Sequence, residues 1–149
     1  MTIFDLLEYE EGFSSTPYIC TEGYVTIGYG SKLSVKGAPL ELFTLTVSKK
    51  TAQCMLEEHL KEVDKYLSTK PLSYANKDRY TILQSMCYQL GSSGLNGFKN
   101  MWKAIESGDW EEAAKQALDS KWARQTPERA NRHAEVLRTG SLDKVYNKP

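Results

Sequence analysis

Apolar and polar positions along the chain follow two periods, and the change between them falls near residue 48. From Thr2 to Gly12, Ile3, Phe4, Leu6 and Leu7 form a buried stripe behind a Thr2 cap, which predicts a short helix ended by Gly12. Tyr18-Ile19-Cys20 and Tyr24-Val25-Thr26-Ile27-Gly28 are β-rich runs about a Thr21-Glu22-Gly23 turn, which predicts a hairpin. If Cys20 faces Tyr24, the even-numbered positions share one face and Cys20 and Thr26 are diagonal neighbours. A third strand is expected around residues 32–35, and residues 37–46 read as irregular.

From Ser48 onward, Ala52, Met55, Leu56, His59, Leu60, Val63, Tyr66 and Leu67 recur at steps of three and four, the mark of a long amphipathic helix that Lys70-Pro71 stops. Leu83, Met86, Cys87 and Leu90 mark another, ended near Gly91. A short one follows around Phe98, Met101, Trp102 and Ile105, closed by Gly108. Asp109 and Glu112 form a capping-box signature for the next, and Thr126-Pro127 opens a last helix that Gly140 ends. One helix, a small β-region, a long connecting helix and a helical bundle make an α+β fold. The long helix would join two lobes, with a ligand cleft expected between them.

Composition changes this picture little. The 149 residues suffice for one domain with a real core, and 19 basic residues balance 19 acidic ones. No global field therefore favours nucleic acid or an anionic surface. No apolar run reaches the roughly 20 residues that span a bilayer. MTIFDLLEYEEG has neither a basic start nor a clean apolar run, so it does not read as a secretory signal, and synthesis in the cytoplasm is expected. Cys20, Cys54 and Cys87 are odd in number and widely spaced, which argues against a disulfide framework or a zinc site. Cys54 and Cys87 read as buried fillers. Trp102, Trp110 and Trp122 read as core, and His59 as a helix residue rather than a ligand.

The stretch EEGFSSTPYICTEGYVTIGYG carries the candidate chemistry. Glu11 ends the first helix, where the helix dipole disfavours a negative charge, a setting that suits a general acid. Cys20 and Thr26 on one hairpin face could hold a water between them. Taken alone, these residues read rather as a solvated helix end, a small buried cysteine and an ordinary strand threonine.

Over nearly its whole length the chain resembles the phage-type lysozymes related to T4 lysozyme, glycoside hydrolase family 24. The matching residues are Glu11-Gly12, TEGYVTIGYG from Thr21 to Gly30, Gln89-x-Gly91, Gly94, Gly97-Phe98, Trp110-x-Glu112-Ala113-Ala114, Trp122, Gln125-Thr126-Pro127, Arg129-Ala130, Arg132 and Arg138-Thr139-Gly140. They keep the family's order, with a shortened region between Ser34 and Val47. The resemblance implies one lysozyme domain over 1–149, with a β-containing lobe at about 13–60. Its helical lobe would span about 61–149 and take in helix 2–11.

The resemblance further implies hydrolysis, with inversion, of the β-1,4 bond between N-acetylmuramic acid and N-acetylglucosamine in peptidoglycan. Glu11 would be the acid. Cys20, as thiolate where the family usually has aspartate, would orient or activate water with Thr26. Arg129 would pair with Glu11, and Arg132 with Glu10. Substrate contacts would map to Lys32, Tyr88, Met101 and Gln116. No cofactor or metal is implied, nor membrane insertion or nucleic acid, and a monomer is expected.

A free endolysin would act on the wall after release from the host cytoplasm and would depend on a holin-type lesion. A place in the virion tail is the other expectation. The neutral charge departs from the basic character usual in the family and fits weaker wall adsorption, a different host wall or a tethered role. Cys20 also leaves open a weakly active or inactive glycan-binding scaffold, and regulation through thiol oxidation.

Overall fold

Gly12 does end the first helix, and the chain turns at once into a sheet. The computed structural model describes residues 1–147. Helix α1 is Ile3–Glu11, and strands β1 (Ser14–Ile19), β2 (Val25–Gly28) and β3 (Ser31–Lys32) form an antiparallel sheet in the order β1-β2-β3. Pro17 lies within β1, which an edge strand tolerates because proline has no N–H to give to a ladder. Every residue of the central strand β2 is buried.

Beyond β3 a single 3-10 turn, Leu40–Leu42, interrupts an otherwise irregular segment. Helix α2 (Lys49–Leu67) then begins behind Ser48, whose Oγ accepts from Thr51 N at 3.1 Å. Ala52, Leu56, Leu60, Val63 and Leu67 are its buried stripe. Cys54 falls between two members of that stripe and is exposed, which corrects its reading as a buried filler. Two residues either side of a stripe position point to the far side of a helix.

Helix α3 (Lys77–Asn96) is interrupted at the expected stop. Gly91 is non-helical, at φ 76° and ψ 163°, and breaks it into two pieces. Helices α4 (Lys99–Glu106), α5 (Trp110–Leu118), α6 (Lys121–Gln125), α7 (Pro127–Thr139) and α8 (Asp143–Tyr146) follow. Asp109 caps α5 through Glu112 N, and Ser120 caps α6 through Ala123 N. Such a cap is worth about 1 kcal/mol. Helix α7 packs against α3, α5, α6 and α8. Its last carbonyls have no helical partners. Arg79 serves two of them, donating to Leu137 O at 2.8 Å and Arg138 O at 3.2 Å, and Asn76 Nδ2 serves Gly140 O at 2.9 Å. Trp102, Trp110 and Trp122 are buried in the core.

The chain forms two compact units. One is Phe4–Glu62, which holds the sheet, and the other joins Met1–Ile3 to the chain from Val63 onward. From Phe4 on, α1 falls within the unit that holds the sheet. Its carboxyl end is tied to the β2–β3 turn by the Phe13 and Tyr29 rings, 5.2 Å between centroids.

Candidate active site

The register of the hairpin decides which side chains meet. Tyr18 pairs with Thr26 and Ile19 with Val25, and Cys20 N donates to Tyr24 O at 2.9 Å. Across the next ladder, Thr26 pairs with Lys32. Side chains alternate along a strand, so Tyr18, Cys20, Tyr24, Thr26 and Lys32 share one face, with Cys20 diagonal to Thr26 as expected. An irregularity between Ser14 and Tyr18 shifts the register further down β1.

Glu11 is the last residue of α1, and its carboxylate lies against the backbone of Gly30. A β-carbon built on Gly30 would sit 2.6 Å from Oε2, and the glycine has φ +81°. The Tyr18 phenol is raised above its usual range by burial, then by the negative charges of Glu11 and Cys20. Glu11 and Cys20 thus both lie within electrostatic reach of Tyr18. Nothing in the motif pointed to Tyr18. Its pairing opposite Thr26 is the signal that could have found it.

Thr26 is buried, 2% exposed, and its hydroxyl donates to Tyr24 O at 2.9 Å. That bond spends the only hydroxyl proton, so the oxygen can act elsewhere only as an acceptor. Cys20 is half-buried. Lys32 stands 4.4 Å from the Tyr24 ring centroid and 3.8 Å from Glu22 Oε2. Glu10 is half-buried beside Glu11, and His59 is on the exposed side of α2.

The other predicted residues lie in the helical unit. Arg129 on α7 is 7% exposed, and its Nη2 donates to Ser85 Oγ at 3.0 Å. Arg132 is half-buried one turn further on. Tyr88 is buried in α3. Met101, also buried, and Gln116, whose Nε2 donates to Glu112 Oε1 at 2.7 Å, both line a pocket of about 420 Å³. Lys99, Lys121 and Arg124, with Asp119 as the one acid, give that pocket a net basic lining that the sequence pattern did not reveal. Cys87 is buried, and burial, then the negative charge of Asp64, pushes its thiol up to about 11.

Glu11, at its helix end, thus lies against the turn of a hairpin whose one face bears a thiol and a hydroxyl. The chain matches the family model described as Phage lysozyme over residues 8–137. It belongs to the phage lysozyme family.

The chain is 32% identical to "Probable T4-type lysozyme 1" of Dictyostelium discoideum, over 95% of this chain and 96% of that protein. It is 34% identical to "Probable T4-type lysozyme 2" of the same organism, over 93% and 94%. Against the "Pre-baseplate central spike protein Gp5" of Enterobacteria phage T4 it is 29% identical over 96% of this chain but spans 28% of that longer protein. The protein is thus a glycoside hydrolase of the lysozyme type, and its substrate is peptidoglycan. Among the described residues, no helix is long and apolar enough to cross a membrane.

Proposed function

We propose that the whole chain is one muramidase domain that cleaves the β-1,4 bond between N-acetylmuramic acid and N-acetylglucosamine with inversion at the anomeric carbon. The observation that carries this reading is the placement of the Glu11 carboxylate against Gly30, beside the hairpin face that bears Tyr18, Cys20 and Thr26. Glu11 gives its proton to the leaving glycosidic oxygen as the bond to the anomeric carbon breaks. A water attacks that carbon from the opposite face and passes a proton to the Cys20 thiolate. The lone pairs of Thr26 Oγ1 accept the second hydrogen of that water and fix its direction.

Inversion requires room for the water, a separation of roughly 6.5–9.5 Å where both groups are carboxylates. Arg129, Glu10 and Arg132 are the supporting residues, and Lys32, Tyr88, Met101 and Gln116 contact the glycan. The protein serves as a phage endolysin or a tail-associated lysozyme. As an endolysin it is made in the host cytoplasm and depends on a holin to reach the wall.

The test is product analysis on purified peptidoglycan. Mass spectrometry is expected to find new reducing ends on N-acetylmuramic acid, and proton NMR to find the α-anomer first, before mutarotation. New reducing ends on N-acetylglucosamine would overturn the bond assignment. A β-anomer formed first would overturn inversion and make Cys20 or another group a nucleophile.

A further inference from the structure

Helix α7 carries a buried histidine that the mechanism above does not use. His133 is completely buried, as is Ser85 on α3. His133 Nε2 lies 2.7 Å from Ser85 Oγ, and its Nδ1 lies 2.9 Å from the Tyr146 hydroxyl on α8. Ser85 Oγ is also the acceptor for Arg129 Nη2 at 3.0 Å, and Ser85 O lies 3.5 Å from the same nitrogen. All four residues belong to the helical unit.

Hydrogen-bond chemistry gives this chain a direction. A guanidinium can only donate, so Ser85 Oγ accepts from Arg129. The oxygen keeps a second lone pair, but among the described residues His133 Nε2 is the partner placed to take the serine proton, which makes it the acceptor nitrogen. The remaining ring proton sits on Nδ1 and is donated to Tyr146 Oη. A protonated ring would turn Nε2 into a donor and leave the serine proton without this acceptor. Two further observations agree with a neutral ring. Burial, then the charges of Arg129 and Arg132, hold the imidazole well below the usual histidine range. The Trp122 ring on α6, 6.0 Å away between centroids, closes another side with an apolar face.

We infer that His133 is a positioning residue for wall hydrolysis: its neutral imidazole, fixed by Tyr146, orients the Ser85 hydroxyl, and Ser85 in turn sets the Arg129 guanidinium. The inference rests on the reading of Arg129 as a supporting residue of the site. A leucine at 133 fills comparable space but offers no acceptor. The Ser85 hydroxyl then reorients, and Arg129 loses one defined direction. Misplacement of a supporting group by about 1 Å can cost on the order of 100-fold in rate, and a loss of roughly tenfold or more in kcat is expected here.

The experiment is a double-mutant cycle read as kcat for clearing purified peptidoglycan. The four proteins are wild type, His133→Leu, Arg129→Ala and the double variant. His133→Leu is expected to lower kcat alone but to cause no further loss once Arg129 is gone. An equal loss in both backgrounds would make His133 merely structural and overturn the inference. Wild-type kcat in His133→Leu would do the same. If Arg129→Ala itself leaves clearing unchanged, the reading of Arg129 fails instead.

A second measurement needs no variant. The chain has two histidines, so nitrogen NMR of labelled imidazoles separates them readily. His133 is expected to be the neutral Nδ1–H tautomer at pH 6.5. An Nε2–H tautomer or a charged ring at that pH would overturn the chain of bonds even if the variants fail to fold.

Discussion

The Glu11→Gln protein is expected to fold as the wild type does and to clear peptidoglycan about 10²–10⁴-fold more slowly, the usual contribution of a positioned general acid. The amide keeps the size and shape that fit against Gly30 but has no acidic proton for the leaving oxygen. Initial rates of turbidity loss, with circular dichroism to confirm the fold, check this directly. Activity within a few-fold of wild type would move the acid elsewhere, and the adjoining Glu10 would be the next residue to replace.

Gly30→Ala is expected to cost far more activity than stability. The added methyl carbon would lie 2.6 Å from Glu11 Oε2 and 2.9 Å from Cδ, at a backbone φ of +81°. The backbone conformation costs about 1–2 kcal/mol for an L-residue. The clash itself is cheap to relieve, because a carboxylate at the end of a flexible side chain can swing away. Relief removes the acid from its place, and a displacement of about 1 Å can cost on the order of 100-fold in rate. Paired thermal denaturation and clearing assays separate the two effects. A variant that loses several kcal/mol with little change in rate per folded molecule would mean that Gly30 serves the fold rather than the acid.

Much of this arrangement was legible because it rests on local rules. Cys20 opposite Tyr24 fixes the parity of the hairpin, and parity alone places Cys20 and Thr26 on one face. The long apolar period of α2 and the cap residues Asp109 and Gly140 marked their helices for the same reason. What escaped the sequence depends on contacts distant along the chain. Tyr18 becomes a site residue only once α1 and β1 bring Glu11 and Cys20 around it.

Helices α6 and α8 are too short to show a period, at five and four residues. The Tyr146–His133–Ser85–Arg129 chain joins α8, α7 and α3, so no window of sequence contains it. Cys54 was misread because its neighbours are apolar while its own position faces away from them.

The cysteine is the least conventional member of the proposed set, so it gives the most direct test of the account. The measurement is clearing of purified peptidoglycan by a Cys54→Ser protein, before and after alkylation, beside the same protein with Cys20→Ala or Cys20→Asp. Removing exposed Cys54 leaves Cys20 as the thiol that reacts, since Cys87 is buried with its thiol raised to about 11. The account predicts that alkylation and Cys20→Ala each remove most activity and that Cys20→Asp retains it. Full clearing by Cys20→Ala, or by the alkylated protein, would contradict it.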